Sequence, residues 1–235
     1  MKITLLTGKI FDLENAFDFP LKVHTSFKIK RLGLRIDHKK REVILSLPKF
    51  CSFKKAHDFV QEHLDWIEEK FSSVPHVKNF EDGEKISLFG QTVQIKWQEN
   101  SSAPKQEEDI LYVGGDKEFL HRRVKDYIKR SAQKEFLKRS QKLAEKLGVH
   151  LAGVTIKDTT SRWGSCSSLC HINYNWRLAL SPNDVIDYLM AHEVAHLKHH
   201  DHSKEFWETV KNLAPNYEMS KLWLKNNGVS LYLYR

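Results

Sequence analysis

The sequence predicts an α+β protein: a mainly antiparallel, strand-rich N-terminal region with one helix, then a helical C-terminal region holding a small sheet. Three observations carry this. Residues from Val23 to Leu47 alternate apolar and polar positions, as in F-K-I-K-R-L-G-L-R-I, which is the period of a half-buried strand. From Lys117 to Leu147 the apolar residues follow the helical period instead. A second helical stripe, Val185, Ile186, Leu189, Met190 and Leu197, follows two short strand-like runs, Val154 to Lys157 and His171 to Leu180.

The elements follow in order. Pro48 closes the first strand region, and Ser52 is placed to cap a single helix from Phe53 to about Phe71, with Ala56, Phe59, Val60, Leu64, Ile67 and Phe71 on its inner face. After Ser72-Ser73-Val74-Pro75, the run I-S-L-F-G-Q-T-V-Q-I-K-W reads as a hairpin turning at Gly90. Glu99 to Glu108 is polar and aperiodic, a surface loop, and a short strand from Ile110 to Val113 ends at Gly114-Gly115. A domain boundary is expected there, giving a β-rich domain over 1–115 and a catalytic domain over 116–235. Asp116 is placed to cap the long basic helix and Gly148 to end it. Thr160 to Ser167 reads as a loop between the two short strands. Ser181-Pro182 then opens the helix of the second stripe, with Asn183, Asp184 and Asp187 suited to its positive end. Ser203 to Leu213 and about Glu218 to Asn226 form the last two helices.

At 235 residues, with 40% hydrophobic and 29% charged residues, the chain can bury a sizeable core and has the composition of a soluble globular protein. No apolar run is long enough to span a bilayer, which argues against a membrane protein. The apolar patch near the N-terminus is too short for a signal peptide and is followed at once by Asp12 and Glu14, so a cytoplasmic protein is expected. Three cysteines suit reduced thiols. Cys166-x-x-x-Cys170-His171 lacks the second ligand pair of a structural zinc site and reads as ordinary strand residues.

The net charge of +8 is concentrated in one place. Between Lys117 and Leu147 there are eleven Lys/Arg and four Asp/Glu, a surplus of seven. Either this is a solvated helical face, or the helix over 117–147 meets an anionic partner such as nucleic acid or a phosphorylated ligand. Aromatic interleaving is thin (Phe119, Tyr127, Phe136), so a base-stacking platform is not indicated.

The chemistry gathers in M-A-H-E-V-A-H-L-K-H-H-D-H-S-K-E-F-W, Met190 to Trp207. His192 and His196 stand four apart, on one face of a helix, where two imidazoles grip one zinc ion while Glu193 reaches a water on it. Chance gives such an H-E-x-x-H in about one chain in twenty of this composition, so the surroundings must carry the assignment. A third ligand is needed. His199 and His200 would be carried past the metal by a continuous helix, whereas a break near Asp201 would bring His202 back, with Ser203 capping the next helix. His202 is preferred and Glu205 is the alternative. Glu193 then serves as general base rather than ligand.

These residues resemble the active-site block of the YgjP-like metal-dependent hydrolase family, related to SprT-like and other small gluzincin-type metallopeptidase domains. Ser161 to Ser167, S-R-W-G-S-C-S, and Ile172 to Leu178, I-N-Y-N-W-R-L, resemble two further blocks of that family. Upstream, R-L-G-L-R-I with Leu47-Pro48, H-L-D-W-I and S-L-F-G are weaker matches, so the likeness covers nearly the whole chain. The resemblance implies a zincin-like catalytic domain with one zinc ion per chain on His192, His196 and His202, Glu193 as base, and a strand that binds an extended substrate by edge pairing. Asp201 departs from the family, which more often has Asn there. Arg162, Asn175 and Arg177 are the candidate substrate-binding residues, Arg162 for an anionic intermediate, phosphate or carboxylate.

The expected function is a zinc-dependent hydrolase, foremost a metallopeptidase acting on a peptide or protein. The alternative is a metal-dependent nucleoside triphosphate pyrophosphohydrolase or phosphohydrolase, which Arg162 and the basic helix would suit. A nucleic-acid-binding module with a non-catalytic metal is the third reading, and Glu193 argues against it because a structural site has no use for a base.

Overall fold

A computed structural model describes residues 2–4, 10–99 and 102–234. Part of the N-terminal apolar patch (5–9) and residues 100 and 101 of the polar loop lie outside them. The chain divides into two compact units, Met1–Val77 and Lys78–Tyr234. The boundary expected after Gly115 falls inside the second unit, because the hairpin region packs into the same core as the long basic helix: Ile86, Val93, Ile95, Leu111 and Val113 cluster with Val124, Ile128 and Phe136.

The first unit opens with a short antiparallel pair, β1 (Lys2–Thr4) and β2 (Ile10–Asp12). Strands β3 (Leu21–Ser26), β4 (Gly33–Asp37) and β5 (Glu42–Pro48) form a sheet of order β3-β5-β4, with β3 parallel and β4 antiparallel to β5. Val43, Leu45 and Leu47 of β5 pack on Ala56, Val60 and Ile67. The single helix expected over 53–71 is two, α1 (Phe53–Gln61) and α2 (Leu64–Ser72). At the break the His63 amide bonds back to Val60 O, and the His63 imidazole donates to Phe59 O at 2.8 Å, so a side chain takes the carbonyl that a continuous helix would give to the backbone.

The second unit is α+β. Strands β6 (Lys85–Leu88), β7 (Gln91–Gln98), β8 (Lys105–Glu107) and β9 (Ile110–Gly114) form a sheet of order β6-β7-β9-β8. The β6–β7 turn has positive φ at both Phe89 and Gly90, the geometry of a tight hairpin. A side chain at Gly90 would strike the Asn183 backbone nitrogen at 2.8 Å, so this glycine lets the turn abut the start of a later helix. Residues 105–107 were expected in a loop. They form an edge strand with no buried side chain, so no apolar alternation signals them.

After a 3₁₀ turn at Lys117–Phe119, α3 (Leu120–Leu147) runs to Gly148, whose left-handed φ of 65° ends it. Asp116 makes no side-chain cap; its carbonyl accepts from Phe119 N instead. Strands β10 (Gly153–Lys157), β11 (Gly164–Cys166) and β12 (His171–Asn175) follow, in the order β10-β12-β11. The strand expected to run to Leu180 stops at Asn175. There the Asn175 side chain accepts from Arg177 N and starts a fully buried 3₁₀ turn, Trp176–Leu180. Three helices complete the unit: α4 (Asn183–Ala195), α5 (Lys204–Leu213), capped by Ser203, and α6 (Tyr217–Asn227). Among the described residues no helix is long and apolar enough to cross a membrane.

Candidate metal centre

Helix α4 is buried along most of its length, with Val185, Ile186, Leu189, Met190, Ala191 and Val194 in the core. Its last turn presents His192 and Glu193. The helix ends at Ala195, well before the break expected near Asp201, and His196 is its C-cap. The chain then turns: His199 N bonds Ala195 O, and Asp201 Oδ1 accepts from Ser203 N at 3.2 Å. The Asp201 carboxylate therefore shapes the turn before α5 and is not an acceptor for His202.

This turn brings His202 onto His192 and His196. One ring nitrogen from each of the three lies within 4.8 Å of the others, and among the described residues no other joins the group. The Nε2 atoms of His192 and His202 are 3.3 Å apart. Phe206, fully buried in α5, packs against all three imidazoles at ring-centroid distances of 5.0, 4.5 and 4.8 Å, while Trp207 packs on His192 and His202. The aromatic wall packs against the rings; His192 and His196 are half-buried and His202 is exposed. Glu205, the alternative ligand, is exposed and outside the group. His199 faces α5, its Nε2 against Thr209 Oγ1, and His200 is exposed. Cys166, Cys170 and His171 form no such group among the described residues; His171 Nε2 lies against Thr155 Oγ1.

The protonation states suit a cation. Burial, with repulsion from His196, His202 and Lys221, pushes His192 down to about 3, so its imidazole is neutral and free to ligate at neutral pH. His196 is lowered too, by burial first. His196 Nδ1 donates to His199 O at 3.0 Å, which fixes the tautomer that leaves Nε2 a lone pair. Three converging imidazoles with an aromatic backing are a donor set that fits zinc.

Glu193 is 4% exposed, and burial pushes its carboxyl up to about 8 against the opposing pull of Arg162. Its side chain lies against the backbone of β11: a Cβ on Gly164 would stand 2.4 Å from Glu193 Oε1. Gly164, between Trp163 and Ser165, carries little signal in the sequence beyond the fact that a glycine can mark such a close approach. β11, hidden in an expected loop, is an edge strand. Asn175 N donates to Trp163 O, and Ser167 N to His171 O, so the odd-numbered residues bond to β12. By the alternation of antiparallel pairing, the amides and carbonyls of Gly164 and Cys166 face the open edge.

Of the three residues expected to contact substrate, only Arg162 is free to do so. It is exposed, its guanidinium has no hydrogen-bond or ion-pair partner among the described residues, and it lines a cleft of about 280 Å³ with Gly164, Ser165 and Tyr174. Arg177 is corrected to a buried hub. It is 1% exposed, sandwiched between Trp176 and Tyr232, and donates to Asp158 and to Tyr234 O. Asn175 is corrected likewise: its Oδ1 accepts from Arg177 N and its Nδ2 donates to Thr159 O at 2.7 Å. With every strong group satisfied, both hold the wall of the cleft rather than a ligand.

Neither the curated proteins nor the solved structures yield a match to this chain. A family model described as the YgjP-like metallopeptidase domain matches residues 30–227, a span that includes the histidine group, Glu193 and β11. A metallopeptidase domain implies a metal, and the three imidazoles are where one fits. The chain belongs to the YgjP-like metallopeptidase domain family.

Proposed function

We propose that this chain is a zinc-dependent peptidase. His192, His196 and His202 hold the ion, and Glu193 is the general base. When bound, zinc supplies Lewis acidity that acidifies water and polarises a carbonyl. The protein supplies the rest. Glu193 takes the proton of the attacking water and passes it to the leaving amine nitrogen, a role suited to a carboxyl whose burial lifts it to about 8, near the working pH. The observation that carries the peptide reading is the free edge of β11 running past that carboxylate. An extended peptide pairing with Gly164 and Cys166 would have its backbone held by main-chain hydrogen bonds, in register and without regard to sequence.

One observation favours a second reading, hydrolysis of a phosphoanhydride in a nucleoside triphosphate. Two exposed cations flank the centre: Arg162 on the Glu193 side and Lys221, which lies 4.2 Å over the Trp207 ring, on the His192 side. A screen of mixed peptides against nucleoside triphosphates, each with and without chelator, separates the two. The peptidase reading expects chelator-sensitive peptide cleavage that Glu193→Gln lowers about 10²- to 10⁴-fold. Turnover of triphosphates alone would overturn it.

A further inference from the structure

The basic surplus of α3 is ordered. Arg122, Asp126, Arg130, Lys134, Lys138, Lys142 and Lys146 stand four residues apart along the whole helix, all are exposed, and six of the seven are cationic. The buried ridge, Leu120, Val124, Ile128, Ala132, Phe136, Ser140 and Ala144, keeps the same spacing two residues away. Four residues advance about 40° beyond a full turn, so six steps carry the basic ridge about 240° around the axis over about 36 Å.

Among the described residues, no side chain of the ridge takes part in an ion pair. Arg122 lies over the Phe119 ring at 4.7 Å. Arg130, Lys134, Lys138, Lys142 and Lys146 have no ion-pair partner among the described residues, whereas Arg139 beside them is tied to Glu135 and Asp187. Like charges four apart on a helix repel and weaken it. At the N-terminal end the ridge enters a cleft of about 370 Å³ lined by Ala103, Pro104, Arg122, Arg123, Asp126 and Arg130. Arg123 is fixed there by donating to Ser102 O at 2.8 Å, and its buried Nε has no partner among the described residues. The three arginines offer the planar forks that grip phosphate oxygens.

We propose that this ridge is a docking surface for the phosphodiester backbone of a single-stranded nucleic acid, with a phosphate seated in the arginine cleft. Three features select that occupant. A ridge that winds through two-thirds of a turn cannot lie on a plane, which disfavours a membrane surface. A duplex, with a persistence length of about 50 nm, cannot curl around a helix about 10 Å across, whereas a single strand can. A backbone with one charge on every repeat matches a cation at nearly every step. With few aromatics exposed along α3, the contact is to phosphates and independent of base sequence.

Fluorescence anisotropy of the full chain with a labelled oligothymidylate of about 30 nucleotides tests this. Six phosphate contacts on a single strand predict log K falling against log salt with a slope of about −4. Neutralising three of them, Arg130→Gln, Lys134→Gln and Lys138→Gln, should bring the slope to about −2 and weaken binding at least about tenfold near 100 mM salt. Lys→Arg at 134, 138 and 142 should preserve binding. A charge-matched control, Lys28→Gln, Lys30→Gln and Lys49→Gln in the first unit, should leave the slope near −4. Equal loss in the ridge and control variants would reduce the effect to net charge and overturn the proposal. So would tighter binding of a blunt duplex, of anionic phosphatidylserine vesicles or of polyglutamate than of the single strand. None of these readouts depends on the metal or on turnover.

Discussion

The carboxylate of Glu193 occupies the space where a side chain on Gly164 would begin: a Cβ there would lie 2.4 Å from Oε1 and 2.7 Å from the carboxyl carbon. One residue in an edge strand thus sets where the base on the neighbouring helix can stand. Gly164→Ala should push the carboxylate off the strand while leaving the histidine group untouched. The expected result is a fall in kcat of about 10²-fold or more with zinc content and melting temperature nearly unchanged. Unaltered turnover would show that Glu193 does not act from this position.

The two arginines of the neighbouring blocks should separate cleanly. Arg177→Met leaves Asp158 and the Tyr234 carbonyl without their buried donor, and should cost about 3 kcal/mol of stability in urea melts. Arg162→Gln removes an exposed cation with no partner, so stability should hold while KM rises, more for anionic substrates. A stability loss at Arg162 or a KM effect without one at Arg177 would reverse these assignments.

Much of this centre was legible in the sequence, for physical reasons that differ by residue. The i, i+4 spacing of His192 and His196 sits on a helix whose apolar stripe is unambiguous. The polar run after Leu197, with Ser203 as a cap, signalled a turn that returns His202. Gly164 and β11 escaped notice because a three-residue edge strand has too few positions to show a period. Asn175 and Arg177 were expected to contact substrate because burial of polar groups cannot be read from type alone. Their partners, Asp158, Thr159 and Tyr234, are distant in sequence. The domain boundary misplaced after Gly115 has the same cause: a Gly-Gly pair marks a turn, but only tertiary packing shows that β6, β7 and β9 share a core with α3.

Acid sensitivity should trace in part to Glu84. Burial alone would raise its carboxyl. Hydrogen bonds from Lys78, from the Tyr234 hydroxyl at 2.6 Å and from Glu81 N, with the Lys78 charge, hold it below the ordinary carboxylate range instead. A depressed folded value means a contribution fully present above the unfolded value and lost as pH falls through the folded one. Thermal melts taken between about pH 6 and pH 3 should therefore decline less steeply in Glu84→Gln than in the native chain. Parallel curves would show that this carboxyl carries none of the acid limb.

The proposed chemistry requires that three histidines from α4 and the turn before α5 hold one metal ion. Elemental analysis of the chain, purified without added metal, tests it most directly. About one zinc per chain is expected in the native protein, about one in Glu193→Gln, and almost none in His192→Ala with His196→Ala. A folded native chain free of metal, or zinc retained in full by the double histidine variant, would contradict it.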